Sequence, residues 1–221
     1  GTPIDAPPPA VVAALGGSDS ERGYPPSIGT PEFRETVSGW IASRLGCEVD
    51  PNDEIAAAVG TKEFVVGLPH WMKLRRPDRD TVLYPAVSYP SYEMGAILAG
   101  CRAVPVPVDE DWSVRLDAIS DEDRARALLL WVNTPGNPAG GLDDLEAAAA
   151  WGRTHQIPVF SDECYCEFTW EGPPRTTLSA GTQGVVAVHS LSKRSNLAGV
   201  RVGFYAGDPE LVDYLREVRK H

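Results

Sequence analysis

An α/β fold built on a mostly parallel sheet is what this chain of 221 residues predicts, and three observations carry the prediction. Short apolar runs alternate along the chain with stretches whose apolar residues fall at helical spacing. Several runs are continuous rather than alternating, as strands buried on both faces must be. A hydrophobic content of 43% over this length is enough for one sizeable core. Strands and helices in alternation put helices on both faces of the sheet.

The elements follow in order. Pro7-Pro8-Pro9 and the stretch Gly16-Gly17-Ser18-Asp19-Ser20 break residues 1–30 into an arm with one small helix near 8–15. A single large domain is expected over 31–221. It opens on Thr30-Pro31, a helix start with proline in the first turn, after which Phe33, Val37, Ile41 and Leu45 recur at four-residue spacing until Gly46. Seven candidate strands come next: Glu54–Val59, Thr81–Tyr84, Arg102–Val106, Ala127–Val132, Ile157–Ser161, Val185–His189 and Val200–Tyr205. Helices are expected near 61–75, 90–99, 143–155 and 208–220, the third helped by the helix propensity of Ala147-Ala148-Ala149-Ala150. The closing pattern, residues 211–221, has no Gly or Pro terminator and reads as an interrupted helix. No internal repeat is present.

Charge and cysteine usage narrow the function. The formal net charge is −11, and the 16 arginines and 4 lysines are scattered. This argues against nucleic acid or an anionic membrane surface as a partner. Cys47, Cys101, Cys164 and Cys166 have neither metal-site nor disulfide-framework spacing, and His70, His155, His189 and His221 do not cluster with them, so no metal is expected and a reducing cytosol fits. No stretch approaches the roughly 20 apolar residues of a membrane span, and Gly1-Thr2-Pro3-Ile4-Asp5 does not resemble a signal peptide. A cytoplasmic protein is expected.

Lys193 carries the most chemical information. It follows the apolar run Val185-Val186-Ala187-Val188 within Ser190-Leu191-Ser192-Lys193, where a surface lysine is out of place. Asn137, Asp162, Tyr165, Lys193 and Arg201 occur in that order, and each type has a use around a phosphorylated pyridine aldehyde. Lysine supplies an amine for a Schiff base, and aspartate keeps the pyridine nitrogen protonated so that the ring is an electron sink. Tyrosine and asparagine can hydrogen-bond the phenolic oxygen, and arginine can grip the phosphate.

Bland readings stand beside these. Gly60-Thr61-Lys62 sits between an apolar run and a helical stretch, where free backbone N–H groups can receive a phosphate, yet it also reads as a tight turn with a threonine cap. Asp162 ends a strand, the place where open α/β sheets bind ligands, or caps a helix. Asn137-Pro138 is ordinary loop chemistry, or a cis bond that turns the amide inward; a cis bond is expected. Arg201 is a surface ion-pair partner, or, before the run Val202-Gly203-Phe204-Tyr205, a buried guanidinium in need of an anion. Glu163 reads as solvated or structural.

Taken together, Tyr24 with Gly29, Gly60-Thr61-Lys62-Glu63, Tyr89-Pro90-Ser91-Tyr92, Asn137-Pro138, Asp162 with Tyr165, and Ser190, Lys193 and Arg201 resemble the class I and II aminotransferases of pyridoxal-phosphate fold type I. The wording Asn133-Thr134-Pro135-Gly136-Asn137-Pro138 and Ser190 to Gly199 looks most like bacterial N-succinyldiaminopimelate aminotransferases. The resemblance implies a seven-stranded sheet with one antiparallel member and a small C-terminal lobe apparently missing here. It also implies pyridoxal 5'-phosphate as cofactor. Lys193, Asp162 and Tyr165 would be catalytic. Gly60, Thr61, Lys62 (through its main chain), Ser190, Ser192 and Arg201 would hold the phosphate, Asn137 the phenolic oxygen, and Tyr89 the ring face, with Tyr92 one turn on and able to pack in the core instead. Tyr24, in the arm, would reach the neighbouring site of a homodimer. The implied reaction moves an amino group from glutamate to N-succinyl-2-amino-6-ketopimelate; other aminotransferases, a carbon–sulfur lyase and a noncatalytic regulator remain as alternatives.

Overall fold

The computed structural model describes residues 3–19 and 22–220; Gly1, Thr2, Ser20 and His221, parts of the patterns above, lie outside the described residues. Two helices come first. α1 (Pro9–Gly16) exposes its apolar side chains, Val12 and Leu15 among them. α2 (Pro31–Leu45) begins as its sequence dictates: Thr30 Oγ accepts the N–H of Phe33 at 3.2 Å, proline fills the first turn, and Gly46 closes the helix at φ +69°.

The alternating part runs β1 (Ile55–Ala58), α3 (Thr61–Arg75), β2 (Thr81–Pro85), α4 (Ser91–Leu98), β3 (Arg102–Val106), α5 (Asp121–Arg126), β4 (Ala127–Asn133), α6 (Leu145–His155), β5 (Val159–Asp162), β6 (Val185–Ser190), α7 (Leu191–Arg194), β7 (Gly203–Gly207) and α8 (Pro209–Val218). The strands form one seven-stranded sheet in the order β1-β7-β6-β5-β4-β2-β3. β7 is antiparallel to β1 and β6, and every other pair is parallel.

Burial explains the continuous apolar runs, because β2, β4, β5, β6 and β7 are buried along their whole lengths. On one face Phe64, Leu68 and Met72 of α3, Tyr92 of α4 and Leu215 of α8 cover Trp131, Phe160 and Val188. On the other, α6 packs Leu145 and Ala149 on Leu130 and Val159, and α2 packs Val37 and Ile41 on Ile55 and Phe204. Each large side chain so buried is worth ~1.5–3 kcal/mol, whereas an exposed pair such as Arg76 with Asp78 contributes little because solvent screens it. The core therefore decides the fold.

Three expectations need correction. The last run starts at Gly203 rather than Val200, because Ala198–Val200 form a 3-10 turn and Arg201 is left-handed at φ +59°. The final helix ends at Val218, with Arg219 and Lys220 in a turn. α5 was not expected at all. Among the described residues no helix is long and apolar enough to cross a membrane.

Register places the site. Asn133 of β4 pairs with Asp162 of β5, Ser190 of β6 with Gly203 of β7, and Gly203 with Ala58 of β1. One sheet edge thus carries the ends of β1, β4, β5 and β6 and the beginning of β7, the edge at which open α/β sheets take ligands.

Candidate active site

A cavity of about 340 Å³ opens at this edge. Its floor is Asp162, with Asn133 on one side and Ser190 on the other. Thr61 and Lys62 enter from the first turn of α3, Tyr89 and Tyr92 from the start of α4, and Ser192, Lys193 and Arg201 from the segment around α7. Asn137 and Tyr165 complete the wall and, with Lys193, also line a second cavity of about 760 Å³. Those three side chains therefore stand between the two spaces.

Asp162 is 7% exposed. Its Oδ2 accepts from the Tyr92 hydroxyl at 2.8 Å and its Oδ1 from the Cys164 N–H at 3.2 Å. Burial pushes this carboxyl above the usual range, while the bonds from Cys164 and Tyr92 and the charge of His189 pull it back. Burial and the adjacent carboxylate hold the Tyr92 phenol protonated, so it donates. Both of these donors are neutral groups. A buried anion that faces a cavity in this state is suited to a cationic ring nitrogen.

The opposite end of the cavity is built for an anion. Gly60 precedes α3 at φ +79° with no side-chain cap, so the first N–H groups of the helix point out at its positive end. The threonine-cap alternative does not occur, since Thr61 is already in the helix. Arg201 lies across Gly60: a Cβ there would come 2.8 Å from its Cζ, and closer still to Nη2. Only glycine leaves room for the guanidinium. Arg201 Nη1 donates to the Ala198 carbonyl at 2.7 Å and reaches Ser192 Oγ at 3.5 Å. The expectation that Arg201 is buried is wrong, because it is exposed; its left-handed backbone turns it out over the α3 terminus instead of into the sheet. Ser190 Oγ accepts the Ser192 N–H at 3.0 Å and keeps its own proton for a ligand.

The peptide bond 137–138 is cis, as is that between Thr134 and Pro135. Tyr89 is half-buried, edge-on to Tyr92 at 6.2 Å, and Tyr92 packs on Trp131 at 5.1 Å, so Tyr92 is both core and site. Glu163 is buried, with Oε1 accepting the Thr177 N–H at 2.7 Å and Oε2 lying 3.1 Å from His189 Nε2. Tyr24 is fully exposed and lies outside both cavities. Sequence reasoning missed Asn133, Tyr92 as the partner of Asp162, and Cys164, whose Sγ contacts Thr61 Oγ1 at 3.3 Å. Asn133 alone left a signal, as the polar end of an otherwise apolar strand.

Comparison with known proteins decides the family, since the model for aminotransferase class I and II matches residues 1–221. The chain belongs to the class I and II aminotransferases. That family depends on pyridoxal phosphate, and both ends of the cavity fit such a group: a caged carboxylate for the ring nitrogen, and a helix terminus with an arginine for the phosphate. This aminotransferase chain is 38% identical over its whole length to 4-dedimethylamino-4-oxo-anhydrotetracycline transaminase of Streptomyces rimosus, covering 60% of that protein. It is 34% identical to LL-diaminopimelate aminotransferase of Aquifex aeolicus, with 89% of this chain and 52% of that protein aligned. Among solved structures, one described as a probable N-succinyldiaminopimelate aminotransferase of Thermus thermophilus superposes with a TM-score of 0.89 at 32% identity, covering 100% of this chain and 61% of that one. The chain thus spans 52% to 60% of the length of these curated relatives.

Proposed function

We propose that this chain is the cofactor-binding part of an aminotransferase that moves an amino group from glutamate to a keto acid. The observation that carries the reading is the pairing, in one cavity, of a buried carboxylate at one end with Lys193 and an anion-receiving helix terminus toward the other. Bound there, pyridoxal phosphate supplies an electron sink for the carbon that exchanges its nitrogen. Lys193 would hold the cofactor through its ε-amine, and the same amine would be the group that moves a proton in the cavity. Asp162 keeps the ring nitrogen protonated. Asn137 and Tyr165 hold the phenolic oxygen, Tyr89 covers the ring, and Gly60, Thr61, Lys62, Ser190, Ser192 and Arg201 receive the phosphate. Residues 31–221 act as the large domain, and the arm 1–30 contacts a second copy, so that Tyr24 reaches its phosphate. A cytoplasmic setting belongs to this reading, supported by four cysteines that are all free thiols.

For the acceptor, the likeness to diaminopimelate and N-succinyldiaminopimelate aminotransferases supports N-succinyl-2-amino-6-ketopimelate. One observation favours a second class. The larger cavity is walled by Tyr165, Phe168 and Trp170 and carries the acids Asp5 and Glu171, a lining better suited to a bulky ring than to a polycarboxylate. The Streptomyces rimosus relative is named for such a ring-bearing substrate.

Borohydride reduction of the full-length protein with bound pyridoxal phosphate, followed by peptide mapping, tests the core of the proposal. The label is expected on Lys193, and Lys193→Ala is expected to abolish transamination; a fully active Lys193→Ala protein sinks it. Single-turnover amino transfer to the two acceptors separates the substrate classes, and release of pyruvate and ammonia would mark a lyase instead.

A further inference from the structure

β4 is apolar until its last residue, where Asn133 stands beside Asp162 and is 4% exposed. Both ends of this buried amide are used. Its Oδ1 accepts the backbone N–H of Asn137 at 2.7 Å, and its Nδ2 donates to the backbone carbonyl of Asp162 at 2.7 Å. The reverse orientation would set oxygen against carbonyl and NH₂ against N–H, so the partners themselves assign the amide. One side chain therefore ties the loop that carries Asn137 to the strand that carries Asp162.

A second buried group backs it. Asp143 Oδ2 accepts from the Asn133 N–H at 3.2 Å and from Thr134 Oγ1 at 3.0 Å, and Thr134 Oγ1 in turn accepts the Asp143 N–H at 3.0 Å. Asp143 Oδ1 accepts the Val114 N–H at 2.9 Å. Within the loop, the Gly136 N–H donates to the Gly141 carbonyl at 2.9 Å. Residues 133–143 thus form a loop pinned at both ends, with Asn137, which lines both cavities, set by the Asn133 bond.

We infer that Asn133 is a positioning residue that fixes the separation between Asn137 and Asp162, with Asp143 holding Asn133 and Thr134 in place. A buried amide costs free energy unless both its ends are bonded, and here both bonds run to residues of the site. An apolar residue would suffice if the position served packing alone. The inference rests on the proposed cofactor reading, in which a flat ring is held by Asp162 at one edge and Asn137 at another.

The test uses the full-length protein with bound pyridoxal phosphate, carrying Asn133→Ala, Asn133→Asp or Asp143→Asn. Absorbance of the bound cofactor is titrated against pH, kcat is measured per folded molecule, and hydrogen exchange is followed in the unloaded protein. Asn133→Asp sets an acceptor against the Asp162 carbonyl, and Asn133→Ala removes both bonds. Each is expected to shift the titration midpoint and lower kcat by about 100-fold, the effect of misplacing reacting groups by around 1 Å. Asp143→Asn keeps its shape and one acceptor oxygen and is expected to lose less. A parental midpoint and kcat in Asn133→Ala, even with a lowered Tm, would reduce the residue to packing and overturn the inference. If that variant fails to fold, Asn133→Asp decides on the same two readouts. If the parent binds no pyridoxal phosphate the functional reading fails separately, and exchange decides: faster exchange confined to Asn137 and the end of β5 supports the bridge, and parental exchange overturns it.

Discussion

At the scale of single residues, the site is organised by a carboxylate and a glycine. Burial raises the Asp162 pKa in the folded chain. A group shifted upward stabilises the native state fully below its unfolded pKa, and that contribution is lost as pH rises through the folded value. In the unloaded protein Asp162→Asn is therefore expected to gain stability over the parent as pH rises above the ordinary carboxylate range. Urea denaturation at acid and neutral pH reads this as a difference between the two proteins, which removes carboxylates such as Asp80 that are shifted the opposite way by Arg126. A gain that shrinks toward neutral pH would contradict the assignment. Gly60 gives a second prediction. In Gly60→Ala the methyl group displaces the Arg201 guanidinium, and affinity for pyridoxal phosphate should fall roughly tenfold or more, the worth of one charge-assisted hydrogen bond. Fluorescence titration would check it.

Among the elements, β7 carries the tightest constraint. It runs against its neighbours, so its first residues rather than its last lie at the site edge, and this is how Arg201 comes to face the α3 terminus. At its far end Gly207 is at φ +154°, and a Cβ there would come 2.8 Å from Val186 Cα. Backbone cannot yield as a flexible side chain can. Gly207→Ala should cost about 1–3 kcal/mol in urea denaturation, whereas Gly100→Ala, with open space at φ +65°, should cost only the strain of its dihedral, about 1 kcal/mol. The elements that escaped the sequence reading failed it for physical reasons. α5 (Asp-Glu-Asp-Arg-Ala-Arg) has no apolar stripe, so periodicity is blind to it; its Ser120 cap, acidic first turn and basic last turn were the available signal. α7 spans only four residues and rests on its Ser190 cap.

For the whole molecule, this chain covers 60% of its Streptomyces rimosus relative, so complete activity is a property to be tested on the full-length protein. Tyr24 belongs at this scale. It is fully exposed within a single chain, and the proposed homodimer gives its hydroxyl a phosphate to meet. Tyr24→Phe is expected to weaken cofactor binding by roughly tenfold at protein concentrations where the dimer forms, and not at all where the chains are separate. Titration across the dimer dissociation range would reveal it, and an effect independent of concentration would remove Tyr24 from the neighbouring site.

By itself the sequence determined the sheet and named most of the residues that line one cavity. Buried strands must be apolar on both faces, and Asp162 stands at the end of β5 where local pattern puts it, so seven strands and the place of this carboxylate were legible in one dimension. Only the tertiary structure decided the company each residue keeps. Tyr92 reaches Asp162 across 70 positions, and Arg201 lies over Gly60 because β7 pairs with β1. Asn133 bonds two segments at once. Such contacts depend on strand register and on the direction of β7, which long-range packing sets and no local periodicity encodes.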